Sequence, residues 1–312
     1  MRGVAPWSII VNPAAGSGRA RRGAEAAARH LRAHGVEVEL HLTAGPGHAR
    51  ELAGAIAAGG ADRLVVCGGD GTVREVLPAV LESGLPLGLL PQGTANDLAR
   101  ALGLSRSAKG AAQDLLTGRP AAIDVALVNG MPFITVSSFG LDAAVSQAVN
   151  EGRLPIPGSA AYVVAALRCL LSFTPPRVRL SGDFGQIEAE VMLVAAANTS
   201  SYGGGMRIAP AADPTDGLLD VCVVRRAPRH VVAAVLPRVY WGGHRRHPAV
   251  QILRTARLRL EILDGESWPV WADGEYATAT PADVEVRQGG LQVIVPLPAP
   301  GLATLPGAPE LA

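Results

Sequence analysis

Cysteine is scarce in this chain: three residues in 312, Cys67, Cys169 and Cys222. They are odd in number, far apart and without metal-ligand spacing. That excludes a disulfide framework and a cysteine-based metal centre, and it leaves buried free thiols in a reducing cytosol as the expectation. Net charge is nearly missing too, at +1. No nucleic-acid partner is therefore expected, and any electrostatic targeting has to come from local clusters. Long apolar runs are lacking as well. No stretch reaches the about 18 apolar residues that span a bilayer, and the opening MRGVAPWSIIVNP breaks at Asn12 and Pro13 before it could form a signal-peptide core. The seven histidines form no HExxH array; His244 and His247, flanked by Arg245 and Arg246, are read as surface residues.

What the chain does have is enough length for two hydrophobic cores, and 48% apolar residues to fill them. WSIIV (Trp7 to Val11) reads as a short buried strand followed by the glycine-rich turn NPAAGSG. Between Ala20 and His34, Ala20, Ala24, Ala27, Ala28 and Leu31 recur at helical spacing with arginines elsewhere. VEVELHL alternates as a strand, a helix opens at Pro46-Gly47 and closes at Gly59-Gly60, and RLVVC and LPLGLLP are further strands leading into helices. Strands alternating with helices imply an open, mainly parallel α/β sheet covered on both faces, over residues 1–125. Its ligands belong outside the carboxyl ends of the strands. After Asp124 the texture turns to strands, IEAEVMLVAAAN, LLDVCVVR, ARLRLEIL and DVEVRQGGLQVIVPL, the last expected to fold back at Gly289-Gly290. An antiparallel β-sandwich over residues 126–300 follows, with 301–312 as a flexible tail.

Three glycine-bearing turns close three successive strands: NPAAGSG, GGDGT and PQGTAND. Glycine lets backbone N–H groups approach a phosphate, and the helix that follows favours negative charge at its N-terminus. One such turn is explained by sterics alone; three on one sheet edge read as a nucleotide or other phosphate site. They match neither the GxGxxG dinucleotide turn nor the GxxxxGK[ST] loop.

In their order and spacing, VNPAAGSG, GGDGTVREV, PQGTANDLA, DPTDGLLDV (Asp213 to Val221) and ADGEYA (Ala272 to Ala277) resemble the diacylglycerol kinase catalytic domain of bacterial lipid kinases, shared with sphingosine and ceramide kinases. GGDGT alone is less specific, since NAD kinases carry something similar. The resemblance implies an NAD kinase-like α/β domain that binds ATP as co-substrate through Asn12, Gly16, Thr43, Gly68, Gly69, Asp70, Gly71, Thr72 and Thr94. Asp70 cannot donate to a phosphate oxygen, so its catalytic role is expected to run through Mg²⁺. Glu275 is implied as the general base, with Asp273 in the same turn as its rival; without the resemblance this segment is a plain hairpin turn. A structural Mg²⁺ is implied at the Asp216 carboxylate and the backbone carbonyls of Asp213 and Leu218, with Asp97 and Asp124 reaching it through water. Read alone, DPTDG is an ordinary Asx-type turn. Arg74 stands where many relatives have Asn; it is read on the exposed face of its helix, the alternative being a cation near the phosphates.

The implied reaction is ATP-dependent phosphorylation of a membrane lipid, with diacylglycerol giving phosphatidic acid. Another lipid acceptor (a sphingoid base, ceramide or phosphatidylglycerol), NAD kinase activity, or a silent nucleotide-responsive lipid binder are the alternatives. Ala160 to Phe173, AAYVVAALRCLLSF, is apolar apart from Arg168 and reads either as a buried helix or as the wall of an acyl-chain channel. Arg225, Arg226, Arg229, Arg238, Arg245 and Arg246 surround an apolar segment with Tyr240 and Trp241. This suggests an anionic membrane surface as partner, and a cytoplasmic protein held peripherally at the inner face of the membrane. A homodimer is one option for its assembly.

Overall fold

The computed structural model describes residues 6–150 and 159–296, with only the backbone at 150 and 159–163. The expected tail, 301–312, lies outside the described residues. Two compact units are present, residues 6–124 with 288–296, and residues 125–287.

The first unit runs β1 (Trp7–Val11), α1 (Ala15–Ala33), β2 (Val38–Leu42), α2 (His48–Ala58), β3 (Leu64–Gly68), α3 (Asp70–Ser83), β4 (Leu87–Pro91), α4 (Asp97–Ala101), α5 (Ala108–Thr117) and into β5 (Arg119–Val128). Strands β2, β1, β3 and β4 pair in that order, all parallel. Parallel strands need crossovers, and the helices supply them. The alanine row of α1, with Leu31, packs on Ile9, Val11, Val65, Cys67 and Leu90 and on Ala111, Ala112 and Leu115 of α5. Small side chains let these helices lie close to the sheet, and the 3.6-residue period read from the sequence is the buried face.

The second unit continues with β6 (Met131–Phe133), β7 (Val136–Gly140), α6 (Leu141–Asn150), α7 (Ser159–Ser172), β8 (Arg177–Gly182), β9 (Gly185–Ala197), β10 (Leu219–Arg225), α8 (Arg229–Val235), two 3₁₀ turns (Leu236–Trp241 and Gly243–Arg246), β11 (Val250–Thr255), β12 (Arg257–Ile262), β13 (Pro269–Ala272), β14 (Glu275–Ala279) and β15 (Ala282–Val295). Strands β7 to β14 pair antiparallel throughout, as do β12 with β15 and β5 with β6. One run is β15–β12–β8 with the first half of β9; the other is β11–β10, the second half of β9, β7, β13 and β14. Phe133, Phe139, Val178, Leu180, Val191, Val221 and Leu258 share the core of this sandwich. The α/β-plus-sandwich expectation holds.

Four readings change. β15 does not fold back at Gly289-Gly290. It stays a strand through Val295, with Gly289 at φ 62° donating its N–H to Asp124 Oδ1 at 2.8 Å, so the glycine pair bends the strand without reversing it. Residues 288–296 consequently rejoin the first unit, where Val293 pairs parallel to Leu87. The helix α6 had no counterpart in the sequence reading, and Cys169 is only half-buried while Cys67 and Cys222 are buried, each with its thiol pushed up to about 12 by burial.

The fourth is His244, which is 1% exposed and not a surface residue. Its Nε2 lies 3.0 Å from the Ile208 carbonyl, which can only accept, so Nε2 carries the proton and the enclosed Nδ1 has no partner among the described residues. Burial, and then the neighbouring Arg245, hold this imidazole below its usual value against the Ile208 bond. The unfolded chain takes up the proton first, so stability is complete above about pH 6.5 and falls as pH drops through that value. Thermal melts between about pH 7.5 and about pH 5.5 should show this loss, and His244→Gln should flatten it. A parallel pH slope in the variant would remove His244 as its source.

Candidate functional site

In the first unit the three glycine turns lie at the carboxyl ends of β1, β3 and β4, and hydrogen bonds join them. Asn12, at the end of β1, donates its backbone N–H to Cys67 O at 3.0 Å and its Nδ2 to Thr72 Oγ1 at 3.1 Å. Gln92 and Gly93 both donate to Gly68 O, at 2.8 and 3.1 Å. Asp70 Oδ1 accepts the N–H of Asp97 at 2.7 Å, tying the middle turn to the start of α4. That carboxylate belongs to the middle turn and bonds the third, at the N-terminus of α3, where the helix dipole favours an anion.

Glycine has a definite use at two places. Gly69 and Gly93 meet backbone to backbone, and a Cβ on Gly69 would stand 3.0 Å from Gly93 Cα. Gly16, Ser17 and Gly18 follow one another at φ 59°, 58° and 84°, a left-handed turn that precedes the regular helix from Arg19. Ser17 holds it at a cost of about 1–2 kcal/mol, which glycine does not incur. Thr72 is buried, Thr43 is buried with its N–H on Val11 O at 2.9 Å, and Gly71 and Thr94 are exposed.

Two positioning residues escaped the sequence reading. Glu75 Oε2 accepts the N–H groups of Gly47 and Ala49 at 3.1 and 3.3 Å, so α3 fixes the loop after Thr43. No local pattern announces this, since the two ends are far apart in sequence. Asn96, at φ 51°, clasps Gly93 through both side-chain atoms, at 2.8 and 2.9 Å. Asn tolerates left-handed backbone, so TAND carried that signal. Arg74 corrects its reading: it is half-buried with Nε enclosed, because α3 turns that side toward the unit. Cys67 donates to Ala20 O at 3.5 Å and serves as a small buried spacer.

In the second unit Asp273, at φ 49°, begins the turn between β13 and β14. Its Oδ2 accepts Ile134 N–H at 2.8 Å, and its Oδ1 accepts Thr135 N–H at 2.8 Å and Thr135 Oγ1 at 2.5 Å. That carboxylate is an anchor with both oxygens engaged. Glu275, the first residue of β14, is exposed. Asp142, at the head of α6, is another residue missed: its carboxyl bonds Ser138 and Tyr202, and burial pushes it up against them.

The loop 213–220 uses its carboxylates on itself. Asp213 Oδ1 accepts from Thr215 N and Oγ1 at 3.0 and 2.7 Å, and Asp216 Oδ1 accepts from Leu218 N at 3.0 Å. Arg254 pairs with Asp216 Oδ2, and its Nε lies 3.7 Å from Asp220 Oδ2. Asp220 is buried, that oxygen makes no hydrogen bond among the described residues, and burial raises its carboxyl above the usual range despite Arg254. Asp97 and Asp124, also buried, belong to the first unit. Among the described residues no three His, Cys, Asp or Glu side chains form a metal-holding cluster. The donors fit a hard cation in kind, being oxygen throughout, but Arg254 supplies positive charge at Asp216 in this structure.

Residues 6–128 match the diacylglycerol kinase catalytic domain, and residues 135–295 match the YegS C-terminal NAD kinase beta sandwich-like domain. A diacylglycerol kinase of Mycobacterium tuberculosis is 35% identical over 93% of this chain and 94% of its own length. A probable lipid kinase YegS-like protein of Pseudomonas savastanoi is 30% identical over 88% of this chain and 89% of its own. Among solved structures, a diacylglycerol kinase from Bacillus anthracis superposes with a TM-score of 0.78 at 25% identity, covering 94% of this chain and 97% of the other.

Proposed function

The chain belongs to the diacylglycerol kinase family of lipid kinases, and from that premise we propose that it moves the γ-phosphate of ATP to the hydroxyl of a membrane lipid, diacylglycerol giving phosphatidic acid. The observation that carries this reading is Asp70 in the middle one of three glycine turns that hydrogen bonds join at one sheet edge. The turns bearing Asn12, Gly16, Gly68, Gly69, Gly71, Thr72 and Thr94, with Thr43, would hold the nucleotide. Asp70 would hold the Mg²⁺ that accompanies ATP, whose charge offsets that of the phosphates. Glu275 takes the proton from the lipid hydroxyl. The freed oxygen bonds to the γ-phosphorus as the bond from that phosphorus to the departing ADP oxygen breaks. Asp273, held by three hydrogen bonds, sets the turn that presents Glu275.

Labelled ATP, Mg²⁺ and a lipid panel in mixed micelles test the reading. Label is expected in phosphatidic acid; label in a sphingoid base, ceramide or phosphatidylglycerol would change the acceptor, and label in NAD alone would overturn a lipid substrate.

A second Mg²⁺ at Asp216, with the carbonyls of Asp213 and Leu218, has its own test. Removing Arg254 leaves Asp216 and the buried Asp220 uncompensated. Because the Arg254 side chain is 51% exposed, Arg254→Ala should cost only about 1 kcal/mol, a fall of roughly 2–4 °C in melting temperature. Millimolar Mg²⁺ should recover that loss by binding the vacated carboxylates. A variant whose melting ignores Mg²⁺ would rule the ion out of this loop.

A further inference from the structure

We infer that α7 and the segment 229–247 of the second unit form the surface by which the protein docks on an anionic lipid bilayer. The chain carries no Asp or Glu from Val221 through Leu260, yet has nine arginines there. Arg226 pairs with Glu190, Arg254 with Asp216, and Arg259 with Glu261 and Asp283. Arg229, Arg238, Arg245 and Arg246 are exposed, and none has a carboxylate partner among the described residues. The buried His244 fixes the turn from which Arg245 and Arg246 project, through its bond to Ile208.

Large apolar side chains stand out from the same elements. Tyr240 is 51% exposed and Trp241 65%, and on α7 Leu167 is 47% and Leu171 71% exposed. Leu167 and Leu171 are four residues apart and so share a face of the helix, away from the buried Ala165, Leu170 and Phe173. The exposed Arg168 lies between them in sequence. α7 and α8 belong to one cluster, since Val232 and Ala233 pack with Ala165, Leu170 and Phe173. The sequence offered α7 as a buried helix or a channel wall; among its described side chains, Leu167, Arg168 and Leu171 are exposed.

This chemistry selects the occupant. Uncompensated arginines require an extended anionic partner, and projecting leucines with a Tyr-Trp pair require an apolar layer beneath that charge. A bilayer of anionic lipid has both. A second copy on a two-fold axis would set arginines against arginines. The inference deepens the lipid-kinase reading and rests on it in one respect, that the acceptor of such an enzyme sits in a bilayer.

Binding is tested on the full chain, without ATP or acceptor, by sedimentation with phosphatidylcholine vesicles that contain or lack phosphatidylglycerol. The protein should sediment only with the phosphatidylglycerol vesicles, and salt should release it. Arg245→Gln with Arg246→Gln should weaken binding about 20- to 30-fold, taking roughly five-fold for each arginine at the surface. Trp7 and Trp271 are buried, Trp268 is half-buried against Phe139 and Phe173, and Trp241 is exposed. Vesicles should therefore shift tryptophan emission to the blue, and Trp241→Phe should remove the shift. Sedimentation indifferent to phosphatidylglycerol, or unchanged in the arginine variant, would overturn the surface. So would Tyr240→Ala with Trp241→Ala if it turned a dimer into a monomer in analytical ultracentrifugation while vesicle binding persisted. Phosphorylation of a short-chain diacylglycerol dissolved as monomer separates the two readings: turnover without vesicle binding defeats only the surface, and binding without turnover defeats only the kinase.

Discussion

Asp70→Asn is expected to leave the first unit folded and to lower lipid phosphorylation about 100- to 1,000-fold, the scale on which loss of one preorganised electrostatic group acts. The amide keeps an oxygen able to accept the Asp97 N–H that Asp70 Oδ1 now accepts at 2.7 Å, so the link from α3 to α4 survives. What disappears is the negative charge. A carboxylate among polyphosphate oxygens is unfavourable unless a cation lies between them, so on the proposed reading the Asp70 charge works through a cation. Circular dichroism and melting temperature should match wild type, while kcat collapses and raised Mg²⁺ restores part of it. Asp70→Ala provides the contrast, since it also removes the acceptor for Asp97 and should cost about 1 kcal/mol of stability. An Asn variant with wild-type turnover would deny Asp70 any part in the chemistry.

The reason Asp70 could be found from the sequence also explains what could not. Strand ends, glycine turns and the alanine row of α1 are written in local spacing, and the structure returns each within a few residues. Long-range closures are not local. The bonds from Glu75 to the start of α2, from Asp124 to Gly289 and from Asp273 to Ile134 and Thr135 join residues 26 to 165 positions apart. Gly289-Gly290 misled for a related reason. A glycine pair inside an alternating strand reads as a hairpin, but here a buried carboxylate on β5 captures the Gly289 N–H and the strand runs on. His244 misled because its arginine neighbours in sequence are solvated while its ring turns inward to Ile208.

Glu275→Gln is expected to reduce turnover about 100- to 10,000-fold with little change in the KM for ATP, because it deletes a proton acceptor and leaves size and polarity intact. Asp273 could have served as the base on sequence grounds, and its surroundings argue otherwise. A group that already accepts three hydrogen bonds, from Ile134 N, Thr135 N and Thr135 Oγ1, would have to break them to receive a substrate proton. Glu275 stands two residues on, exposed at the start of β14. The two variants should fail in different ways. Asp273→Asn turns an N–H donor toward Ile134 N or Thr135 N, sets donor against donor, and should cost about 1–3 kcal/mol of stability. Its activity should recover substantially on cooling, as the turn refolds. Glu275→Gln should melt like wild type and remain inactive at every temperature. Turnover in Glu275→Gln at the wild-type rate would move the base elsewhere, and a stable, inactive Asp273→Asn would move it to Asp273.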